Sequence, residues 1–362
     1  MPRSTLPSAL ALVALLALGA CAPASEEAPS EPPSLVVLVT IDQLRGDLIE
    51  RFEPVFTGGF RRLLDEGMIF TQASHNHSST STAIGHTTLA TGRYPVNHGI
   101  TGNSWSERVT PDSITGVYAV NDPDSPILDY PTSPGRSPAN IWTDALADWL
   151  LTQSPESRTL AVSTKDRAAI TTAGKSAEHN VYWWMPSDGR YVTSSYYQTD
   201  YPDWVQLFNR ERIPELIADS VWEHSVAEAD RDVARADAAP YEADGTNTTF
   251  THFRSDEVIT DALSAQNNWW RSTPFADRAT LAFVQEAMGQ LELGTRGVTD
   301  YISVAFSATD YVGHKYGPLS QEQLANLHTL DRTLAELFDA LDAQVGAGNW
   351  VLGLSADHGV LT

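Results

Sequence analysis

The 362-residue chain carries 23 Lys and Arg against 46 Asp and Glu, a formal net charge of −23 at pH 7. Such a chain repels polyanions, which excludes nucleic acid and anionic membrane surfaces as partners. At 42% apolar with ten Trp it is too hydrophobic to be disordered, and its length fits one large domain or two ordinary ones.

Arg3 and the apolar run 9–18 read as the positive and hydrophobic regions of an export signal, the run being too short to span a bilayer. Leu18-Gly19-Ala20-Cys21 reads as a lipobox, so residues 1–20 are expected to be removed and Cys21 to become a lipidated N-terminus. The expected location is the periplasm, with membrane attachment through Cys21. An ordinary secretory signal with an incidental cysteine is the plainer alternative. Because Cys21 is the single cysteine, no intrachain disulfide is available, and any metal site must use His and carboxylate ligands. Residues 21–34 follow as a Pro/Ser/Glu tether with no means of packing.

The folded part is expected over 35–362. Leu35–Ile41 is a continuous apolar, β-branched run, as a strand buried on both faces of a parallel sheet reads. Similar runs recur at Thr159–Ser163, 302–307 and Trp350–Ser355. Helical patterns at Gly59–Glu66, 138–151, 275–291 and 321–345 fall between them. In the last, Leu324, Leu327, Leu330, Leu334, Leu337 and Leu341 form an amphipathic stripe, which we read as core packing. This alternation predicts an α/β sandwich: a mostly parallel central sheet with helices on both faces. Two stretches, about 103–131 and 180–253, are rich in Tyr, Trp, Asp, Ser and Pro with weak periodicity. They are expected as insertions capping the sheet's carboxyl edge.

Polar groups follow each buried run: Asp42, then Lys165-Asp166-Arg167, then Asp310 with His314, then Asp357-His358. Open α/β sheets bind ligands just beyond the carboxyl ends of their strands, so these segments deliver charge to one rim. Taken singly, an Asp after a strand is usually a turn former or helix cap, and Lys165-Asp166-Arg167 could be a solvated turn. Taken together, the Asp and His side chains suit zinc or a similar divalent ion, and a set of this size fits two ions better than one. The hydroxyl run from Ser78 to Thr82 passes into a helical pattern, which places a Ser or Thr oxygen at a helix N-terminus, where free N–H groups favour an anion. Simple N-capping is the alternative. Beside a divalent cation, however, a hydroxyl loses its proton more easily and can act as a nucleophile.

Thr40-Ile41-Asp42-Gln43-Leu44-Arg45, Thr82-Ala83-Ile84-Gly85-His86, His98-Gly99-Ile100 and Gly102-Asn103 resemble the alkaline phosphatase superfamily. Lys165-Asp166-Arg167, Asp310 to His314 and Asp357-His358-Gly359 resemble its monoesterase branch with a threonine nucleophile, close to the nucleotide pyrophosphatase/phosphodiesterases. The resemblance runs from about residue 35 to the end and implies an alkaline-phosphatase-like sandwich. It further implies Thr82 as nucleophile in phosphate monoester hydrolysis through a phosphothreonine intermediate. By the same resemblance two zinc ions are the cofactors: Asp42, Asp357 and His358 hold the one that also meets Thr82, and Asp310 and His314 hold the other. Asn103, Lys165 and Arg167 would bind the phosphate oxygens of small phosphorylated substrates. Diester-preferring relatives generally lack the Lys-x-Arg pair, so its presence favours monoesters.

The family has a further His, well beyond Asp-His-Gly, that completes the site of Asp310 and His314. None follows His358 here, and His98, His252 and His328 are poor substitutes. The C-terminal part of the domain is therefore expected to be missing and one zinc site incomplete. The alternatives are a phosphodiesterase or nucleotide pyrophosphatase, and an inactive metal- or phosphate-binding lipoprotein.

Overall fold

The computed structural model describes residues 31–361; the leader 1–20, Cys21 and most of the tether 21–34 lie outside the described residues. From Pro33 onward the chain forms one body. Its strands are β1 (Leu35–Ile41), β2 (Ser104–Thr110), β3 (Ser113–Tyr118), β4 (Thr159–Ser163), β5 (Asn180–Met185), β6 (Arg190–Val192), β7 (Val221–Trp222), β8 (His252–Phe253), β9 (Asp300–Phe306) and β10 (Trp350–Ser355).

The central sheet has the order β10-β1-β9-β4-β5-β6. All its pairings are parallel except β5 with β6. The continuous apolar runs of β1, β4 and β9 mark strands covered on both faces, whereas β10, at the sheet's edge, departs from that expectation and leaves Val351 51% exposed. In β4, Leu160 and Val162 enter one core cluster while Ala161 enters the other. Every residue of β4 and β9 is buried. Helices Phe275–Gln290 and Gln321–Gln344 supply the larger cluster, and helix Asp166–Ala173 covers the opposite face. The stripe from Leu324 to Leu341 is the core face of its helix, each leucine at most 1% exposed. Burial of that kind contributes about 1.5–3 kcal/mol per leucine relative to exposure. No helix among the described residues is long and apolar enough to cross a membrane.

Two expectations need correction. The stretch 180–253 does not begin as an insertion: Asn180–Met185 is β5, inside the sheet, and Arg190–Val192 pairs antiparallel beside it. Tyr182 and Trp184 fill one core cluster and Val181 and Trp183 the other, so the aromatic run is a strand buried on both faces. The helix expected over 138–151 spans Leu146–Gln153 instead. It starts where Asp148 Oδ2 accepts the Ala145 N–H at 2.8 Å, closing the first turn from inside. By contrast, the stretch 103–131 opens with the largely exposed hairpin β2–β3.

Candidate metal centre

Because β1, β4, β9 and β10 run parallel, their carboxyl ends share one edge, and each is followed directly by polar residues. Asp42 follows β1, its N–H donating to Phe306 O at 2.9 Å. Lys165 precedes helix Asp166–Ala173 after β4. Asp310 and His314 sit on helix Ala308–Tyr316 after β9, whose start is fixed by Asp277 Oδ1 accepting from Ser307 N and Ala308 N at 3.0 and 3.2 Å. Asp357 and His358 follow β10.

The side chains converge. His358 Nε2 lies 3.5 Å from Asp42 Oδ1 and 3.6 Å from Asp357 Oδ2. Asp42, Asp310 and His358 form one set of mutually close ligand atoms, and Asp42, His86 and Asp357 form another. His314 Nε2 reaches Asp310 Oδ1 at 3.1 Å from a side chain that is 69% exposed. The Lys165 ammonium, almost fully buried, lies 2.7 Å from Asp42 Oδ2 and is ion-paired with Asp310. In this structure it therefore meets the carboxylates that the resemblance assigns to metal.

Thr82 opens helix Thr82–Thr91, directly after the hydroxyl run. Its Oγ1 accepts a hydrogen bond from Arg167 Nη2 at 3.3 Å. Asn103 Oδ1 accepts the Ala83 N–H at 2.8 Å, satisfying one of the free donors of the helix's first turn. The helix can lie this close to the turn after β10 because residue 85 is glycine. A Cβ there would overlap the Asp357 carbonyl.

Gln43 and His86 lie within the family-like motifs, but their tasks are visible only in the structure. Gln43 stands at φ 66, a left-handed conformation uncommon outside glycine. From there its backbone N–H donates to Asp357 Oδ1 at 2.9 Å and its side-chain amide to Asp310 Oδ1 at 2.7 Å. His86 Nδ1 lies 2.9 Å from Thr82 O, within its own helix, and 3.0 Å from Asp357 Oδ2, so it brings the Thr82 helix against a buried carboxylate. The spacing Thr82-x-x-x-His86, one helical turn, was the available signal.

These residues fit divalent cations. Both Asp42 carboxylate oxygens, Asp357 Oδ2 and His86 Nε2 are buried without a hydrogen-bond partner, and Lys165 meets Asp42 without hydrogen-bond alignment. Buried carboxylates left in this way cost several kcal/mol each unless a cation compensates them. Burial, then the nearby Asp357 and Asp310 charges, push the Asp42 carboxyl up to about 6 against the pull of Lys165. Burial opposes Asp357 as well, but His86 and the Gln43 N–H outweigh it and bring it down to about 2. Asp310 also falls below the ordinary range, because His314 and Lys165 outweigh its burial. Carboxylate and imidazole donors of this number and closeness are those that zinc-like ions take.

A family model described as type I phosphodiesterase / nucleotide pyrophosphatase matches residues 36–362. Alkaline phosphatase PafA of Elizabethkingia meningoseptica is 35% identical over 335 residues, covering 90% of this chain and 60% of that protein. Alkaline phosphatase PhoV of Synechococcus elongatus is 33% identical over 330 residues, covering 90% and 59%. The crystal structure of PafA superposes with a TM-score of 0.82 at 32% identity, covering 91% of this chain and 63% of that one. The chain thus spans about 60% of the length of these curated relatives. The match over 36–362, the parallel α/β sandwich and the shared rim of carboxylates and imidazoles have one reading: the chain belongs to the type I phosphodiesterase / nucleotide pyrophosphatase family.

Proposed function

We propose that this chain carries a phosphate monoester hydrolase centre in which Thr82 is the nucleophile and a pair of zinc ions is the cofactor. The observation that carries this reading is the Thr82 hydroxyl at a helix N-terminus, hydrogen-bonded to Arg167, on a helix whose His86 lies 3.0 Å from the buried Asp357 carboxylate. Asp42, Asp357 and His358 would hold one ion, with Asp310 and His314 on the other. Such ions lower the proton affinity of a neighbouring hydroxyl and neutralise charge on a leaving oxygen.

The chain's own residues do the rest. Arg167 holds the Thr82 hydroxyl and, with Asn103 and Lys165, faces the non-bridging phosphate oxygens. Thr82 Oγ, its proton lost to solvent, attacks phosphorus, the bond to the ester oxygen breaks, and the leaving alkoxide takes a proton from water. Water then attacks the phosphothreonine and releases phosphate. His86 and Gln43 orient Asp357 and Asp310. The Lys165 and Arg167 cations reward the extra charge of a monoester dianion. A second reading, diester or pyrophosphate cleavage, is favoured by the description of the matching family model. We also infer export and periplasmic anchoring through a lipidated Cys21, from the lipobox alone.

Acid-quenching the zinc-loaded protein during turnover of a phosphate monoester tests the central step. Mass spectrometry is expected to find a phosphoryl group on Thr82, with Thr82→Ala losing both adduct and turnover. A wild-type rate retained by Thr82→Ala would end this reading.

A further inference from the structure

Beside the candidate centre lies a cavity of about 200 Å³, lined among others by Lys165, Arg167, Arg136, Arg271, Trp183 and Tyr311. Four cations in one small cavity are unusual in a chain of net charge −23. Two of them are already answered: Arg136 Nε donates to Asp166 at 2.6 Å, and Lys165 is paired with Asp42 and Asp310. Arg167 is engaged with Thr82.

Arg271 is different. It ends helix Leu263–Arg271, where the helix's own C-terminal carbonyls attract a cation. Its guanidinium lies 4.6 Å from the centroid of the Tyr311 ring, and the Lys165 ammonium lies 4.9 Å from the same centroid. One ring therefore fixes both cations beside the cavity. The only side-chain hydrogen-bond partner of Arg271 among the described residues is the neutral Asn268 oxygen, at 2.9 Å, and no carboxylate there pairs with it. Its Nε is buried without a hydrogen-bond partner, as is that of Arg167. A guanidinium left this way has donors in a fixed fork that matches a carboxylate or phosphoryl group.

We propose that this cavity is a subsite for a second anionic group carried by the substrate, a phosphoryl or a carboxylate, with Arg271 as its binding residue. The proposal rests on the reading that Lys165 and Arg167 face the reacting phosphate, and it narrows the substrate class from any monoester to monoesters bearing a further anion. The cavity's size agrees, since it falls below the roughly 300 Å³ at which pockets for drug-sized ligands begin.

Calorimetric titration of the zinc-loaded protein, freed of excess metal, with inorganic phosphate and with pyrophosphate tests this without requiring turnover. Wild type is expected to bind pyrophosphate about tenfold more tightly than phosphate, the worth of one charge-assisted contact. Arg271→Ala should remove most of that advantage while leaving phosphate affinity within about twofold, and Arg271→Lys should restore part of it. Equal affinities for the two probes in wild type would overturn the subsite alone, as would an Arg271→Ala loss shared equally between them. Absence of phosphate binding in wild type would bring down the hydrolase reading and the subsite together.

Discussion

Gln43 donates its side-chain amide to Asp310 Oδ1 at 2.7 Å across 267 residues of chain, while its backbone N–H holds Asp357. One residue after Asp42 thus orients a carboxylate in each half of the candidate centre. Outer partners of metal ligands typically govern about 10–100-fold of metal affinity. Gln43→Ala keeps the backbone donor and removes only the amide, so zinc affinity should fall by about that factor through Asp310. Titration with a competing chelator reads this. Unchanged affinity would mean that Asp310 is held by Lys165 and His314 alone.

Gly85 lets the Thr82 helix approach the turn after β10. Gly85→Ala forces a methyl onto the Asp357 carbonyl, an overpacked contact worth about 1–3 kcal/mol. Thermal unfolding should show that loss, and zinc affinity should drop with it because Asp357 moves. A variant as stable as wild type would show that the helix yields without strain.

The legible parts of this fold and site were those that leave a local mark. β1, β4 and β10 read as strands because an apolar β-branched run needs no partner to be recognised. β5 was lost because its aromatic sequence, NVYWWM, resembles the Tyr- and Trp-rich stretch that follows it. At the site, Asp42, Lys165, Asp310, Asp357 and His358 were visible as polar residues just after buried runs. Gln43 was not: its task depends on a left-handed backbone and on partners 267 and 314 residues away, neither of which an amide side chain announces. The position of Lys165 among the carboxylates was hidden for the same reason.

His252 is buried between Glu257, 3.1 Å from Nδ1, and Glu322, 3.0 Å from Nε2. Burial disfavours its cation, but both carboxylates outweigh that and raise its pKa above the ordinary 6.5. The folded imidazole therefore holds its proton more tightly than the unfolded one. Its stabilisation is fully present below pH 6.5 and fades as pH rises through the higher folded value. His252→Gln should cost about 1–3 kcal/mol near pH 6 and clearly less near pH 9. Thermal melts across that range check it, and a gap that widens with pH would contradict the assignment.

Lys165 separates the two substrate readings. If it faces a monoester dianion, Lys165→Ala should lower kcat/KM for a monoester by about a hundredfold and for a diester by far less. Steady-state kinetics on matched nitrophenyl esters decide this. Equal losses would favour the diester reading.

Asp42 belongs to both close sets of ligand atoms, with His86 and Asp357 on one side and Asp310 and His358 on the other. Asp42→Asn removes one buried charge with little change of shape, so it tests whether this rim exists to hold cations. Zinc titration of the chelator-stripped protein, with bound metal counted by mass spectrometry, measures it directly. Wild type should take up zinc and gain thermal stability, while Asp42→Asn should lose both the uptake and the gain. Zinc uptake by Asp42→Asn equal to that of wild type, or none by either, would contradict the account.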